Sequence, residues 1–139
     1  MGAFSGSAVL QLPVRMRGIQ LGRPVDLIVD VAGWQVIGFV VRCGDTSRRF
    51  LPFAASQPSA EEIAVGSALM LLEDVAFYEK RGVSFRSLLG GQVGAEGELR
   101  DLVIGPAGAI TALVVERDGT LGRIQAAGAT VIPTRATAA

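Results

Sequence analysis

Apolar and polar positions alternate along this chain in short β-like runs, and one such arrangement occurs twice. The run "DLIVDVAGWQVIGFVVRCGD" begins at Asp26 and "DLVIGPAGAITALVVERDG" at Asp101. They align when Trp34 is taken as a one-residue insertion: Asp26 falls on Asp101, Gly33 on Gly108, Val40-Val41 on Val114-Val115, and upstream Gly22 on Gly97. A repeat of about seventy residues is too long for a solenoid unit and suits a small domain, so the pattern predicts a duplicated all-β module.

Each copy reads as a strand, a glycine-marked turn and then the most apolar strand, Val36 to Val41 in the first half and Ala112 to Val115 in the second. Asp118-Gly119 signals a hairpin because both residues tolerate the positive φ of a type I′ turn, and Gly44-Asp45 occupies the corresponding place. The matched registers put Val40 and Val114 in the cores of their halves, where an aspartate is expected to unfold the protein. Between Pro58 and Gly82 the pattern changes. "PSAEEIAVG" reads as a helical turn with Ser59 as its N-cap, Ala68 to Leu72 as a closing strand, and "EDVAFYEKRG" from Glu73 as a short helix ending at Gly82. The expected organisation is a first half over 10–72, a helical linker over 73–83, a second half over 84–134 and a flexible tail over 135–139.

Half of the residues are apolar and 19% are charged, a balance that builds a folded core rather than a disordered chain. Halves this small would each have a marginal core, so they are expected to pack on one another or on a partner. No apolar stretch approaches the roughly 18 residues of a membrane span. The first basic residue is Arg15, after Pro13, which is a poor signal peptide, so a cytoplasmic protein is expected.

The chain contains no His, which removes the usual general base and the commonest metal ligand together. With one Cys, Cys43, and one Lys, Lys80, preceded by Glu79, neither a zinc site nor a phosphate-binding Walker loop is expected. Catalytic residues, a metal and a cofactor are all expected to be absent. Asp26 and Asp30 read as a solvated strand face, with Asp30 capping a turn, ahead of a divalent-ion pair, because Asp101 has only Gly105 as its counterpart. Gly90, Gly91, Gly94 and Gly97 read as hairpin turns and close packing rather than an anion cradle. Cys43, at the end of an apolar strand, reads as a partly buried thiol ahead of a redox or dimer-linking one.

The glycine, aspartate and strand pattern also carries a resemblance. Gly22, Asp26, Gly33, "GFVV" from Gly38 and "RRFLPF" from Arg48 in the first half, with Gly97, Asp101, Gly108, "ALVV" from Ala112 and Ile132-Pro133 in the second, resemble the PRC-barrel family. "FLPFAA" and "YEKRG" are similar in place to segments of the tandem PRC-like regions attached to some actinobacterial magnesium-transporter relatives. The resemblance implies an all-β fold of two tandem PRC-barrel-like antiparallel β-barrels joined by a short helical linker. It implies no shared catalytic constellation, and a role in contacts with proteins, ribosomal particles or membrane complexes.

The expected function is therefore a non-enzymatic adaptor that binds another protein, self-association included. The alternative is an RNA-binding or ribosome-assembly factor. Formal net charge is zero, but residues up to Ala60 carry Arg15, Arg17, Arg23, Arg42, Arg48 and Arg49 against three Asp, which favours an anionic partner. Partner-binding candidates are the residues that depart from a bare scaffold: Trp34, Arg48, Arg49 and Tyr78. Trp34 reads either as a lid on a barrel end or as an exposed anchor. Arg48 and Arg49 are consecutive, so a strand points them to opposite faces. Tyr78, next to Phe77, reads as a helix docking on a barrel ahead of a recognition stripe.

Overall fold

A computed structural model describes residues 3–133; the tail expected at 135–139 lies outside the described residues. In chain order the elements are β1 (Phe4–Ser5), α1 (Gly6–Val9), β2 (Val14–Met16), β3 (Ile19–Asp30), β4 (Gln35–Cys43), β5 (Arg48–Pro52), β6 (Ser56–Pro58) and β7 (Ile63–Val65). They continue as α2 (Val75–Glu79), β8 (Val83–Ser84), α3 (Phe85–Leu88), β9 (Gln92–Val93), β10 (Gly97–Ile104), β11 (Ile110–Arg117), β12 (Thr120–Gln125) and β13 (Val131–Ile132). The fold is β-rich, as the alternation predicts, and among the described residues no helix is long and apolar enough to cross a membrane.

The strands form two sheets. The first runs β5-β4-β3-β2-β7-β6 and the second β12-β11-β10-β9-β13. The repeat is visible in the ladders: Val14 stands opposite Gly22 on β2 and β3, as Val93 stands opposite Gly97 on β9 and β10. Asp26 stands opposite Val40 as Asp101 stands opposite Val114. The duplication stops after β5 and β12. Next, β7 runs parallel to β2 inside a hairpin with β6, whereas β13 runs antiparallel to β9. Among the described residues neither strand order closes on itself; the all-β expectation holds, in two curled sheets.

Each sheet is completed by a segment that the sequence places with the other half. β1 pairs with β10, Phe4 opposite Ile104 and Ser5 opposite Val103; β8 pairs with β3, Ser84 opposite Ile28 and Val83 opposite Val29. The helical turn that follows each short strand is capped by its own serine, Ser5 accepting from the Ala8 amide and Ser84 from the Ser87 amide. Residues 4–9 thus form an arm on the second sheet, and 83–88 form an arm on the first. These arms repeat as well, Phe4–Val9 matching Val83–Leu88 in order strand, cap, helix. Sequence reading misses them because four-residue helices carry too few turns to show a period.

The two aspartates of the repeat hold these arms. Asp101 accepts from the Ser7 amide at 3.0 Å, from the Ser7 hydroxyl, and from the Leu102 amide at 2.8 Å. Asp26 accepts from the Arg86 amide at 3.1 Å, from the Ser84 hydroxyl, and from the Leu27 amide at 2.8 Å. Asp26 is thus neither a bare solvated face nor half of an ion site, and Asp30 instead caps its own turn through the Ala32 amide. Where the arms meet, a Cβ added to Gly6 would lie 2.9 Å from the Phe85 ring, so glycine is required by close approach. Phe85, 1% exposed, occupies the same position in its arm as Gly6 in the other, one filling the space the other leaves.

Packing follows from this exchange. One core spans both sheets: Leu27, Phe39 and Leu51 from the first and Leu99, Leu102 and Leu113 from the second are all 0% exposed. Neither half has to bury its apolar strands alone, which meets the size constraint expected of such small units. A second, smaller cluster of Ile28, Val40, Phe50 and Val75 lies on the outer side of the first sheet, beneath α2.

Several local expectations change. Residues 59–62 form a serine turn, Ser59 Oγ accepting from the Glu61 and Glu62 amides, an alternative that serine offers in competition with a helix. Ala68–Met70 is a 3₁₀ turn rather than a strand, and α2 ends at Glu79 with Lys80 as its cap rather than at Gly82. Asp118 and Gly119 have φ of 54° and 80°, the type I′ hairpin expected.

Val40 and Val114 share a register but not an environment: Val40 is 0% exposed, whereas Val114 is half-buried on the outer face of the second sheet. The expectation that an aspartate disrupts both equally is corrected. Val40→Asp buries a charge at a cost of several kcal/mol, comparable with a total stability of about 5–15 kcal/mol, and abolishes the cooperative melt. Val114→Asp is expected to retain that melt with a lowered midpoint; circular dichroism melts check both.

Candidate interaction site

The linker seals the outer face of the first sheet. Asp74 caps α2 by accepting from the Phe77 amide at 3.1 Å, and this places Val75 and Tyr78 on one side of the short helix. Val75 is 7% exposed, and the Tyr78 ring stacks on Phe50 with centroids 4.2 Å apart and planes 3° from parallel. Ahead of the helix, Leu72 pairs with the free edge of β5, exchanging two 2.8 Å backbone hydrogen bonds with Phe50. Arg48 reaches Glu79 at 2.8 Å, Arg49 reaches Glu73 at 3.4 Å, and Arg81 lies 4.1 Å over the Phe77 ring. These ion pairs are partly exposed, so the apolar contacts and the backbone bridge carry most of the attachment.

The structure thus brings together three of the four candidate residues, Arg48, Arg49 and Tyr78, and commits them to contacts within the chain. The fourth is elsewhere. Trp34 has φ of 50° and is 4% exposed, which resolves its two readings toward the lid and corrects the exposed anchor. Its carbonyl accepts from the Ile110 amide at 2.8 Å and its Nε1 donates to the Ala129 carbonyl at 3.2 Å. Gln35, beside it, donates to the Ala107 carbonyl at 2.7 Å and pairs with Ala109. The one-residue insertion in the first repeat is therefore a stitch between the two sheets.

The second half lacks the seal. Register equates Phe50, opposite Val40, with Arg123, opposite Val114; Arg49, opposite Val41, with Gly122, opposite Val115; and Arg48, opposite Arg42, with Leu121, opposite Glu116. On this face Val114 is half-buried and Leu121 is 62% exposed. Among the described residues nothing pairs with the outer edge of β12, the position that Leu72 holds on β5. Beside Leu121 the face is charged but internally paired, Arg100 bonding Glu116 and Glu98 at 2.7 Å each. The bond to Glu116 raises the Arg100 pKa above its ordinary value, so the guanidinium stays charged. Leu121, Gly122 and Arg123 escaped the sequence reading because their meaning lies in the missing cover.

Other chemistry is sparse. A groove at the seam of the sheets is lined by Phe4, Phe53, Ser56, Pro58 and Pro106, without an ionisable side chain, and Ser56 Oγ is bonded to the Phe53 carbonyl at 2.7 Å. No group of three or more metal-ligating side chains occurs among the described residues. Burial raises the Cys43 pKa, opposed by the charge of Arg49, so its thiolate is scarce at neutral pH. Compared with known proteins, the chain matches no family model and no curated sequence.

Trp34→Ala is expected to cost about 3–5 kcal/mol, because it opens a cavity at the seam of the two sheets. Urea denaturation followed by circular dichroism reads this as a lower midpoint; an unchanged midpoint contradicts the seam assignment.

Proposed function

We propose that the protein is a non-enzymatic adaptor built on two PRC-barrel-like halves, and that it binds another protein through the edge and outer face of its second sheet. The observation that carries this reading is the asymmetry between equivalent positions. The first sheet has a strand bridge and a helix over its edge and face, whereas the second presents Leu121 and a β12 edge that nothing pairs with among the described residues. An open edge with adjoining apolar side chains recruits a strand by backbone hydrogen bonding, with the side chains setting specificity. The resemblance to PRC-barrel modules and the lack of His support binding over catalysis.

Charge distribution supports a protein partner over RNA. Of the arginines that favour an anionic ligand, Arg15, Arg48 and Arg49 are paired with Glu62, Glu79 and Glu73. Arg23 donates to the Gln11 carbonyl. Of the six arginines that suggest an anionic partner, four are thus engaged within the chain, which weakens the case for a phosphate-tracking surface.

Leu121→Arg tests the reading, since an exposed position tolerates substitution within about 0.5 kcal/mol. In pull-downs treated with nuclease, the native protein is expected to retain its protein partner and Leu121→Arg to lose it while keeping the native circular dichroism spectrum. A partner released by RNA digestion overturns the proposal in favour of the RNA-binding alternative.

A further inference from the structure

Resting on that reading, we propose that the occupant of the β12 edge is a second copy of this chain, joined by antiparallel β12–β12 pairing across a two-fold axis at Gly122. The direction of the backbone groups comes first. Asp118-Gly119 is a two-residue type I′ loop, which closes on a hydrogen-bonded pair, here Arg117 opposite Thr120. Bonded and non-bonded pairs alternate along an antiparallel ladder, so Gly122 and Ile124 also turn their amides and carbonyls toward β11. Leu121, Arg123 and Gln125 therefore direct theirs to the open edge, where no backbone partner meets them among the described residues. The strand carries no Pro or Lys to discourage an incoming edge.

Self-pairing is restricted to a few registers. Opposed residues in an antiparallel pair share a face, so a two-fold dimer with both sheets continuous must centre on one residue rather than between two. Centring on Arg123 places two guanidinium groups directly opposite, which is repulsive. Centring on Leu121 runs β12 into the positive-φ turn at Asp118-Gly119 and shortens the overlap to Thr120–Gly122. Centring on Gly122 keeps Thr120 to Ile124 paired and sets Leu121 opposite Arg123 of the second copy, twice.

That register is also the one the surface chemistry favours. Leu121 and Arg123 are the outward-directed backbone groups, so both pairs are hydrogen-bonded ones. On the outer face the Arg123 stem lies along Leu121 of the second copy, with its charge directed to Glu116, the residue next to Leu121 across β11 and β12. At the axis, Gly122 carries no side chain to hold the strands apart, and a Cβ there meets nothing within 4 Å in the chain itself, so the position accepts a cysteine. Such an interface is isologous and closed, using up the edge in a dimer rather than a filament.

Light scattering after gel filtration is expected to give the mass of two chains for the native protein. Leu121→Arg, which opposes two arginines in each pair, gives the mass of one chain, and adding Arg123→Glu restores two. In a Cys43→Ser background Gly122→Cys forms a covalent dimer under mild oxidation, whereas Thr120→Cys does not, because Thr120 stands opposite Ile124 of the second copy. A single-chain mass for the native protein at every concentration, or cross-linking through position 120 in place of 122, overturns the proposal. If the native protein has a single-chain mass while Leu121→Arg still loses a nuclease-resistant partner, self-pairing fails and the adaptor reading stands.

Discussion

The structure depends on a carboxylate that reaches across the repeat. Asp101 holds the arm at residues 4–9, and Asp26 holds the arm at residues 83–88, each by accepting a first-turn amide and a serine hydroxyl from the segment that precedes the opposite half. A carboxylate with several donors at a helix start is a charge-assisted contact, roughly twice as strong as a neutral hydrogen bond. More important is where it acts. Because the arms are exchanged, each sheet includes chain from the other side of the repeat, and the common core includes residues of both arms, Val9 from one and Phe85 and Leu88 from the other. The chain has the organisation of an arm-exchanged two-fold dimer joined into one polypeptide.

Departures from that two-fold relation are where specific properties arise. Gly6 and Phe85 occupy equivalent positions but could not both be phenylalanine at the point where the arms cross. Trp34, inserted in the first turn only, reaches the second sheet through its carbonyl and its indole nitrogen. The largest departure is the linker. α2 carries the chain from the first sheet to its second arm, and in doing so it buries Val40 and Phe50; among the described residues no equivalent segment covers Val114 or Leu121.

The duplication was legible because strands impose a two-residue period and turns demand glycine or aspartate at fixed places. Asp26, Asp101, Val40 and the Asp118-Gly119 hairpin stand in the strands and turn that the pattern predicts, and Val114 stands in its predicted strand but outside the core. What each touches was not legible. The aspartates looked like a strand face because their partners, Ser7, Ser84 and Arg86, lie far away in sequence on arms too short to show a period. Arg48, Arg49 and Tyr78 stood out by residue type, yet type does not reveal that Glu79, Glu73 and Phe50 already engage them. The open β12 edge appears only when two halves of known register are compared.

Native-state hydrogen exchange tests most directly whether the exchanged arms make the two sheets one cooperative unit. The account predicts that the most protected amides of β3 and β4 and those of β10 and β11 open with a common free energy, and that Asp101→Ala lowers both by the same amount. Protection lost in β10 and β11 alone, with β3 and β4 unchanged, would show that each half stands by itself and would contradict the account.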